Sequence, residues 1–318
     1  MKRAFVTGGS GFVGQRLIAA LHDRGVEVVA MARSDAAVAK VTALGATASR
    51  GDLADRAAMT TGMAGCDVVF HAAAHVEQHG KLAEFMAVNV AGTEHALAAA
   101  REAKVARFVH VGTEAVLADG KPIIRADESR PRPPKPVGPY PKTKGLAEAA
   151  VLAANAPGFA TVVIRPRFIW GKGDTSLLPQ LVDAVRKGKF GWVGGGHYLT
   201  STCHVDNVVE GALLAADKGA PGEIYFLTDG DPVEFREFMT RMLATQHVDA
   251  SRAREVPIWA ARLVATLTGW MAKPPVTKTA IALIAHEVTV VDAKARRDLG
   301  YTGHVTIEAG LAGMGGSN

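Results

Sequence analysis

The chain has 318 residues and 48% of them are hydrophobic, which is enough to bury the core of one large α/β domain and a smaller one. Lys and Arg number 36 against 31 Asp and Glu, and no basic stripe runs among aromatic residues, so nucleic-acid binding is not expected. Cys66 and Cys203 form no spacing motif, which predicts a reducing, cytoplasmic compartment and no metal site. The apolar runs are too short or too polar to span a bilayer, and a core strand at the very start predicts no signal peptide.

The segment RAFVTGGSGFVG, from Arg3 to Gly14, predicts a strand and a glycine-rich turn, and an amphipathic helix follows at 15–23. Glycine adopts positive φ without steric cost, and it lets backbone amides approach a pyrophosphate at the positive end of the helix. Strand, glycine turn and helix in this order predict a dinucleotide-binding site, and the alternative is a glycine turn without a ligand. The residues assigned to this site are Gly8, Gly9, Ser10, Gly11, Phe12, Val13 and Gly14.

The second predicted strand, 26–31, is followed by Arg33 and Ser34. In a dinucleotide-binding sheet this strand end meets the adenosine ribose, where an acid favours NAD and an arginine can pair with the 2′-phosphate of NADP. Arg33 and Ser34 therefore favour NADP(H). Asp35 lies close by, so NAD(H) stays open as the alternative.

Strands and helices continue to alternate as far as Arg165, a pattern that predicts a parallel sheet with right-handed crossovers. Asn89 interrupts the apolar side of one long helix, where it either ties two loops together or takes part in the chemistry. A proline-rich loop at 121–139 is too long for a simple connector, so we expect it to cover or shape a site. The predicted strands are 26–31, 67–74, 108–111 and 161–165, and the predicted helices are 35–44, 81–104 and 138–155.

Beyond Arg165 the regular alternation ends, because prolines and glycines divide the chain into short pieces. We expect residues 1–170 to form the dinucleotide-binding domain, with 204–228 returning to it, and 171–318 to form mainly a substrate-binding lobe. The ordered part is expected to end at Tyr301. The elements predicted here are helices 206–218, 235–246, 257–271 and 279–285 and a strand at 223–227.

Tyr140 and Lys144 lie four positions apart at the start of a predicted helix, and therefore on the same side of it. A nearby ammonium favours the phenolate and lowers the pKa of a tyrosine, which can then donate or accept the proton that accompanies hydride transfer. Thr113, at the end of a predicted strand, is a candidate to hold the substrate oxygen. The three residues together predict a proton-transfer site.

Taken together, these segments resemble the extended short-chain dehydrogenase/reductase superfamily. Within it, the stretches 113–120, 138–148 and 169–174 are most similar to the 3β-hydroxysteroid dehydrogenase-like branch, which includes sterol and steroid dehydrogenases and reductases of long-chain 2-alkyl-3-oxoalkanoates. The resemblance implies an α/β fold, a Rossmann-type doubly wound parallel sheet with a smaller C-terminal substrate-binding lobe. The segments that carry it are VTGGSGFVG, GDL at 51–53, HAAA at 71–74, NVAGT at 89–93, Thr113, YPKTK at 140–144, RPRFIWG at 165–171 and, more weakly, HVDNV at 204–208.

The resemblance also implies roles for individual residues. It implies that Thr113, Tyr140 and Lys144 are catalytic, with Lys144 also bonding the nicotinamide ribose. Besides the glycine turn, the residues assigned to the cofactor are Arg33, Ser34, Asp52, Leu53, Ala72, Ala73, Ala74, Asn89, Tyr140, Lys144, Arg165 and Pro166. Those assigned to the substrate are His75, Glu114, Arg167 and Ile169.

Two departures argue against a sugar-nucleotide substrate. Sugar-nucleotide dehydratases of this superfamily place Asp and then Glu after the threonine, whereas here Glu114 is followed by Ala115. Members that bind UDP-sugars usually carry an arginine where this chain has Thr200, Ser201 and Thr202. Glu114 beside Thr113 is expected to lie near the substrate, and a loop-capping role is the alternative.

The predicted helix 257–271 carries Trp259, Leu263, Leu267 and Trp270 near helical spacing, which is typical of a helix face packed in a core. Core packing is therefore the expected role of these side chains. Binding at a membrane surface, with Arg262 and Lys273 toward lipid head groups, is the less favoured alternative.

The sequence predicts an NADP(H)-dependent oxidoreductase that interconverts a secondary alcohol and a ketone on a hydrophobic molecule. A sugar-nucleotide epimerase with tightly bound NAD is the first alternative, and a non-catalytic NADP-sensing protein is the second. The resemblance implies a homodimer, because relatives often pair through the helix of Tyr140 and the long helix before it.

Overall fold

A computed structural model describes residues 1–77, 79–271 and 274–315. Lys273, one of the two cations assigned to lipid head groups, lies outside these described residues. Among the helices that are described, none combines the length and the apolar character needed to cross a bilayer.

The first half of the chain alternates strands with helices, as its sequence predicts. Its elements are β1 (Arg3–Thr7), α1 (Phe12–Asp23), β2 (Glu27–Ala32), α2 (Asp35–Ala43), β3 (Thr47–Arg50), α3 (Arg56–Met63), β4 (Val68–His71), α4 (Leu82–Phe85), a π-helical turn (Met86–Ala91), α5 (Gly92–Glu102), β5 (Arg107–Val111), a 3₁₀ turn (Glu114–Leu117), β6 (Ile123–Ala126), α6 (Pro139–Ala153) and β7 (Ala160–Pro166).

The second half is built from shorter pieces. Its elements are β8 (Ile169–Trp170), α7 (Leu178–Arg186), β9 (Trp192–Val193), β10 (Leu199–Thr200), β11 (Cys203–His204), α8 (Val205–Lys218), β12 (Ile224–Leu227), β13 (Val233–Glu234), α9 (Phe235–Ala244), β14 (Glu255–Val256), α10 (Ile258–Leu267), α11 (Lys278–Ile284), β15 (Val288–Val290), α12 (Ala293–Leu299) and α13 (Ile307–Met314).

Seven strands form the central sheet in the order β3, β2, β1, β4, β5, β7, β12. Every neighbouring pair in it is parallel. The strand order reverses on either side of β1, and such a switch point opens a crevice at the carboxyl ends of the strands. The doubly wound parallel sheet predicted from the sequence is therefore confirmed.

Helices cover both faces of this sheet because the buried strands are apolar on both sides. In β1, Ala4 and Val6 pack into one core layer and Phe5 packs into the other. The first layer includes side chains of α1, α2, α8 and α12, and the second includes side chains of α3, α5 and α6.

The long helix predicted at 81–104 is present only as α4, the π-helical turn and α5. Asn89 lies within the π-helical turn and is buried. A π-helical turn inserts a residue relative to a regular helix, which shifts the phase of the apolar side. That shift explains why the apolar pattern breaks at Asn89.

The segment 121–139 and the end of the chain also differ from the sequence prediction. The loop predicted at 121–139 contributes β6, which pairs with β15 in a four-stranded sheet of order β13, β10, β15, β6. The expected end of order at Tyr301 is wrong, because α13 follows it. Leu311 and Met314 of α13 pack in one cluster with Trp170, so burial of apolar side chains holds this last helix.

The predicted core role of the helix 257–271 is also wrong. Trp259, Leu263, Leu267 and Trp270 are exposed, and the buried side of α10 consists of Ala261 and Ala265. The helix packs through these small residues onto α11, so its large apolar side chains are left on the surface.

Candidate active site

The glycine turn after β1 lies directly against the residues that follow β4. Gly8 has φ of +69°, and a Cβ atom there would lie 2.7 Å from the Ala73 backbone nitrogen. A Cβ atom on Gly14 would lie 2.1 Å from the Gly8 carbonyl oxygen. Thr7 fixes the same junction, since its hydroxyl oxygen accepts from the Ala73 amide at 3.2 Å and lies 2.8 Å from Nδ1 of His71.

The N-terminus of α1 opens from this turn. Its N-cap is Gly11, which has no side chain to satisfy the first amides of the helix. Such amides, with the positive end of the helix dipole, suit a phosphate. The turn therefore fits the pyrophosphate of a dinucleotide.

A cleft of about 740 Å³ runs from the glycine turn across the carboxyl edge of the sheet. Most of the site residues predicted from the sequence line it. These are Gly8, Ser10, Gly11, Phe12, Val13, Gly14, Arg33, Asp52, Leu53, Ala72, Ala73, Ala74, Thr113, Glu114, Tyr140, Pro166, Arg167 and Ile169.

The remaining predicted residues are not part of this lining. They are Gly9, Ser34, His75, Asn89, Lys144 and Arg165. The Ser34 hydroxyl caps α2 by accepting from the Ala37 amide at 3.2 Å. The imidazole of His75 packs edge-on against Phe85.

At the end of β2 the exposed side chain of Arg33 borders the cleft. Asp35 is the residue that would bind the adenosine ribose if NAD(H) were the cofactor. It forms an ion pair with Arg50 at the end of β3. Asp52 accepts from the Ala54 amide at 2.8 Å and lies in the cleft wall. Arg33, Asp52 and the Asp35–Arg50 ion pair therefore lie at or after the ends of β2 and β3, where the adenosine ribose is expected.

Asn89 joins two parts of the site instead of lining it. Its Oδ1 accepts from the His75 amide at 2.7 Å, and its Nδ2 donates to the His75 carbonyl at 3.2 Å. The same Nδ2 donates to Oγ1 of Thr143 at 3.1 Å. Because Thr143 lies in α6 between Tyr140 and Lys144, Asn89 acts as a positioning residue for that helix.

Thr113 and Glu114 follow β5 and face Tyr140 in the cleft. The Thr113 hydroxyl donates to Oε2 of Glu114 at 2.8 Å and its oxygen accepts from the Ala115 amide at 3.2 Å. Burial, followed by the negative charge of Glu114, raises the pKa of Tyr140, while a hydrogen bond with Thr113 acts in the opposite direction. The net shift is upward, which differs from the lowered pKa expected from Lys144 alone.

Lys144 points to the end of β5. Its Nζ donates to the Val111 carbonyl at 2.8 Å and lies 3.4 Å from Nε2 of His110. Burial lowers the pKa of Lys144 to about 8, and the nearby Glu148 carboxylate limits that change. The ammonium therefore titrates closer to neutral pH than an exposed lysine does.

Glu114 also forms a buried ion pair with Arg167, whose Nη1 lies 3.1 Å from Oε1 of the carboxylate. Nη2 of Arg167 donates to Oγ1 of Thr200 at 3.2 Å and to the Leu283 carbonyl at 2.8 Å. The hydroxyl of Tyr198, which is close enough to Arg167 to be affected by its charge, has no hydrogen-bond partner among the described residues. A buried ion pair, Glu114 with Arg167, thus forms part of the cleft wall next to Thr113.

Arg165 differs from its predicted position beside the cofactor. Its Nε and Nη2 donate to the two carboxylate oxygens of Glu148 at 2.7 and 2.6 Å, and both side chains are buried. The Arg132 guanidinium also lies 3.9 Å from this carboxylate. Since Glu148 is in α6 and Arg165 is in β7, the pair fixes the helix of Tyr140 to the sheet.

Sequence reasoning missed several cleft residues, of which Phe168, Leu177 and Leu283 are the largest. Phe168 has φ of +44°, a conformation that is rare outside glycine. The irregular backbone lets Arg167, Phe168 and Ile169 all line the cleft, whereas a regular strand would direct alternate side chains away from it. Phe168 could have been found from the segment RPRFIWG at 165–171, which is one of the motifs that carry the family resemblance. No motif in the sequence includes Leu177 or Leu283.

Comparison with known proteins gives three matches of interest. Residues 5–258 match the 3-beta hydroxysteroid dehydrogenase/isomerase family. The 4-hydroxy-2-methyl-3-oxo-4-farnesyl-3,4-dihydroquinoline-1-oxide ketoreductase of Stigmatella aurantiaca is 54% identical over 97% of this chain and 94% of that relative. The 2-alkyl-3-oxoalkanoate reductase of Stenotrophomonas maltophilia is 35% identical over 97% of each chain.

Solved structures share the fold at lower identity. UDP-glucuronic acid 4-epimerase from Bacillus cereus, solved in complex with NAD, matches with a TM-score of 0.75 at 18% identity, over 97% of this chain and 96% of that one. This likeness concerns the fold alone.

Replacing Glu148 by Ala is expected to reduce the free energy of unfolding by about 3–5 kcal/mol, because it leaves the buried guanidinium of Arg165 without its partner. Glu102→Ala is the matched control, since it removes an exposed ion pair with Arg56 and should cost less than about 1 kcal/mol. Denaturant unfolding measures both. Equal losses in the two variants would contradict the structural role of the buried pair.

Proposed function

Because the chain belongs to the 3-beta hydroxysteroid dehydrogenase/isomerase family, we propose that it interconverts a ketone and a secondary alcohol on a hydrophobic small molecule. A nicotinamide dinucleotide supplies or accepts the hydride when it is bound. The observation that carries the proposal is the arrangement of Thr113, Glu114 and Tyr140 in a cleft that opens from the glycine turn.

In the reductive direction Tyr140 donates a proton to the substrate oxygen. Its raised pKa supports this role, because the phenol stays protonated at neutral pH until the oxygen becomes basic. Thr113 holds the same oxygen in place. Lys144 keeps a positive charge at the end of β5, and from there we propose that it also bonds the nicotinamide ribose.

The cleft supports a hydrophobic substrate with one polar group beside the reacting carbon. Phe168, Leu177 and Leu283 provide apolar contacts, while the Glu114–Arg167 pair lies at the end next to Thr113. The relatives named as reductases act on a farnesylated dihydroquinoline oxide and on 2-alkyl-3-oxoalkanoates, and both substrates combine a long apolar part with oxygen atoms near the ketone. We propose that the segment beyond residue 171 contributes most of the substrate contacts.

We propose NADP(H) as the preferred cofactor, with Arg33 at the 2′-phosphate. Arg33 borders the cleft, whereas Asp35 is engaged by Arg50, so the Arg33 guanidinium is available to pair with a phosphate there. NAD(H) is the alternative, in which Asp35 leaves Arg50 and binds the ribose.

Two further proposals concern the assembly and the location of the protein. We propose a homodimer paired through α5 and α6, in line with the superfamily resemblance, and the exposed Leu146 of α6 is compatible with such a contact. We also propose a cytoplasmic location, which rests on the cysteine content.

The alternatives find less support in the site. The sugar-nucleotide epimerase shares the fold, but the position expected for a UDP-sugar arginine is taken by Thr200, which accepts from Arg167. The relatives that are named as reductases argue against a non-catalytic sensor.

Tyr140→Phe tests the proposed proton transfer. The variant should lose turnover by a factor of about 10²–10⁴ or more, since the acid is removed, and should still bind NADPH. NADPH oxidation with a long-chain 2-alkyl-3-oxoalkanoate measures turnover, and fluorescence titration measures binding. Tyr225→Phe, a buried tyrosine of β12 outside the cleft, is the control that should stay active. Near-normal turnover in Tyr140→Phe would refute the mechanism.

Arg33→Ala tests the cofactor preference. We expect wild type to bind NADPH more tightly than NADH, and the variant to lose about tenfold of its NADPH affinity with little change for NADH, because one charge-assisted contact is removed. Fluorescence titration of both dinucleotides gives the two affinities. Arg56→Ala, an exposed cation outside the cleft, should leave both unchanged. Tighter binding of NADH by wild type would overturn the NADP(H) proposal.

Glu114→Gln tests the electrostatic contact to Tyr140. Removing the negative charge should lower the pKa of Tyr140, so the reductive rate should begin to fall at a lower pH than in wild type. The pH profile of kcat/KM for ketone reduction measures this, with Glu102→Gln as the exposed control. A profile that moves to higher pH, or does not move, would contradict the assigned charge effect.

A further inference from the structure

Two buried histidines near the candidate active site take no part in the chemistry described so far. His71 is the last residue of β4 and His110 lies beside it in β5, where the parallel register pairs the two residues directly. Their rings are stacked, with centroids 5.4 Å apart and planes 23° apart, and both side chains are almost completely buried. Because a buried polar ring is costly unless its nitrogens are bonded, the partners of each nitrogen indicate what each ring does.

The hydrogen bonds of His71 define a neutral ring that carries its proton on Nε2. The Thr93 hydroxyl donates to the Asn89 carbonyl at 2.7 Å, so its oxygen is left to accept from Nε2 of His71 at 3.0 Å. Nδ1 therefore has no proton, and it accepts from the Thr7 hydroxyl at 2.8 Å. Burial, followed by the charge of Lys144, lowers the pKa of His71 to about 3. Both nitrogens of His71 are thus bonded, and the ring stays neutral near neutral pH.

His110 differs from His71 because its neighbour is the ammonium of Lys144. Nε2 of His110 lies 3.4 Å from Nζ of Lys144, and an ammonium only donates. Burial, followed by the charge of Lys144, holds the pKa of His110 well below its usual value, so the ring is neutral. Its proton therefore lies on Nδ1, which is buried and has no hydrogen-bond partner among the described residues. The two stacked rings thus carry their protons on opposite nitrogens, and Nε2 of His110 is left to serve Lys144.

The ammonium of Lys144 has three N–H groups, and two of them meet acceptors of the protein. One donates to the Val111 carbonyl at 2.8 Å, and another faces Nε2 of His110. Glu148 affects the pKa of Lys144 through its charge, but both of its carboxylate oxygens accept from Arg165. In the described part of the chain, His110 and Val111 are therefore the groups that bond this ammonium, and its third N–H is left for a ligand.

The other titratable groups around Lys144 are neutral or are paired with one another. Tyr140 lies four positions before Lys144 on the same side of α6, and its raised pKa keeps it protonated. His71 is neutral, as its hydrogen bonds show. The remaining charged groups form ion pairs, which are Glu148 with Arg165 and Arg132, and Glu114 with Arg167. Of the titratable side chains described here, His110 is thus the one that bonds the ammonium.

We propose that His110 is a positioning residue for Lys144, whose ammonium it holds at the end of β5 together with the Val111 carbonyl. With two N–H groups bonded in this way, the third is directed to the nicotinamide ribose. That use of the charge rests on the function proposed above, whereas the hydrogen bond between His110 and Lys144 does not.

Two substitutions at His110 separate the hydrogen bond from the packing of the ring. His110→Phe keeps an aromatic ring against His71 but has no acceptor, so the buried ammonium should lose its proton roughly tenfold more easily, and the pKa of Lys144 should fall by about 1. His110→Gln loses the ring but offers an amide oxygen in place of Nε2, so the pKa of Lys144 should stay at its wild-type value of about 8. Nitrogen NMR of protein with labelled lysine measures this pKa, and Lys144→Met assigns the signal.

Two further measurements complete the test. In wild type, nitrogen NMR with labelled histidine should show His71 protonated on Nε2 and His110 protonated on Nδ1, which requires no variant. NADPH affinity, measured by fluorescence titration against pH, should begin to fall at a lower pH in His110→Phe than in His110→Gln, because an uncharged Lys144 binds the ribose less tightly.

The outcomes that overturn the proposal are specific. They are a proton on Nε2 of His110 in wild type, equal pKa values of Lys144 in the two variants, and an equal pH dependence of NADPH affinity in the two. A defect in His110→Gln that His110→Phe does not share would show that the ring acts by packing on His71, and would also overturn it. Turnover that survives in Tyr140→Phe would instead refute the proposed reaction and leave the Lys144 measurements as they are.

Discussion

The close approach of the glycine turn to the end of β4 is the contact on which the candidate site depends. No side chain larger than hydrogen fits at Gly8, because the Ala73 backbone occupies that space. The hydroxyl of Thr7 bonds across the same junction, so the carboxyl ends of β1 and β4 are held in register. The N-terminus of α1, the crevice beside it and the access to Tyr140 all follow from this close packing of two strand ends.

Tyr140 is held by buried polar contacts on the other side of its helix. Asn89 fixes Thr143, and Glu148 fixes the same helix to Arg165 in the sheet. These groups lie behind the cleft wall, and their partners are far away in the sequence. The proton transfer proposed for Tyr140 requires rigid support of this kind, because the donor must stay at a constant distance from its acceptor.

The sequence predicted the α/β sheet, the glycine turn and most of the cleft lining, because those features depend on local pattern and on short motifs. The prediction failed where the burial or the pairing of a side chain depends on residues that are distant in the sequence. The burial of α10 could not be read from its periodicity, since the same spacing serves a core and an exposed ridge. Arg165 was assigned to the cofactor because nothing in its own segment reveals that Glu148 engages it. The left-handed backbone at Phe168 likewise gave no local signal.

α11 belongs to two surfaces at once. Ile281 packs against α10, while the Leu283 carbonyl accepts from Arg167 at the polar end of the cleft. The same helix therefore joins the packing of α10 to the hydrogen bonding of a buried guanidinium. If a partner bound to the exposed side of α10 altered the affinity of the cleft for its ligand by some factor, then that ligand would alter the affinity of α10 for the partner by the same factor. The thermodynamic linkage between the two would run through a single helix of seven residues.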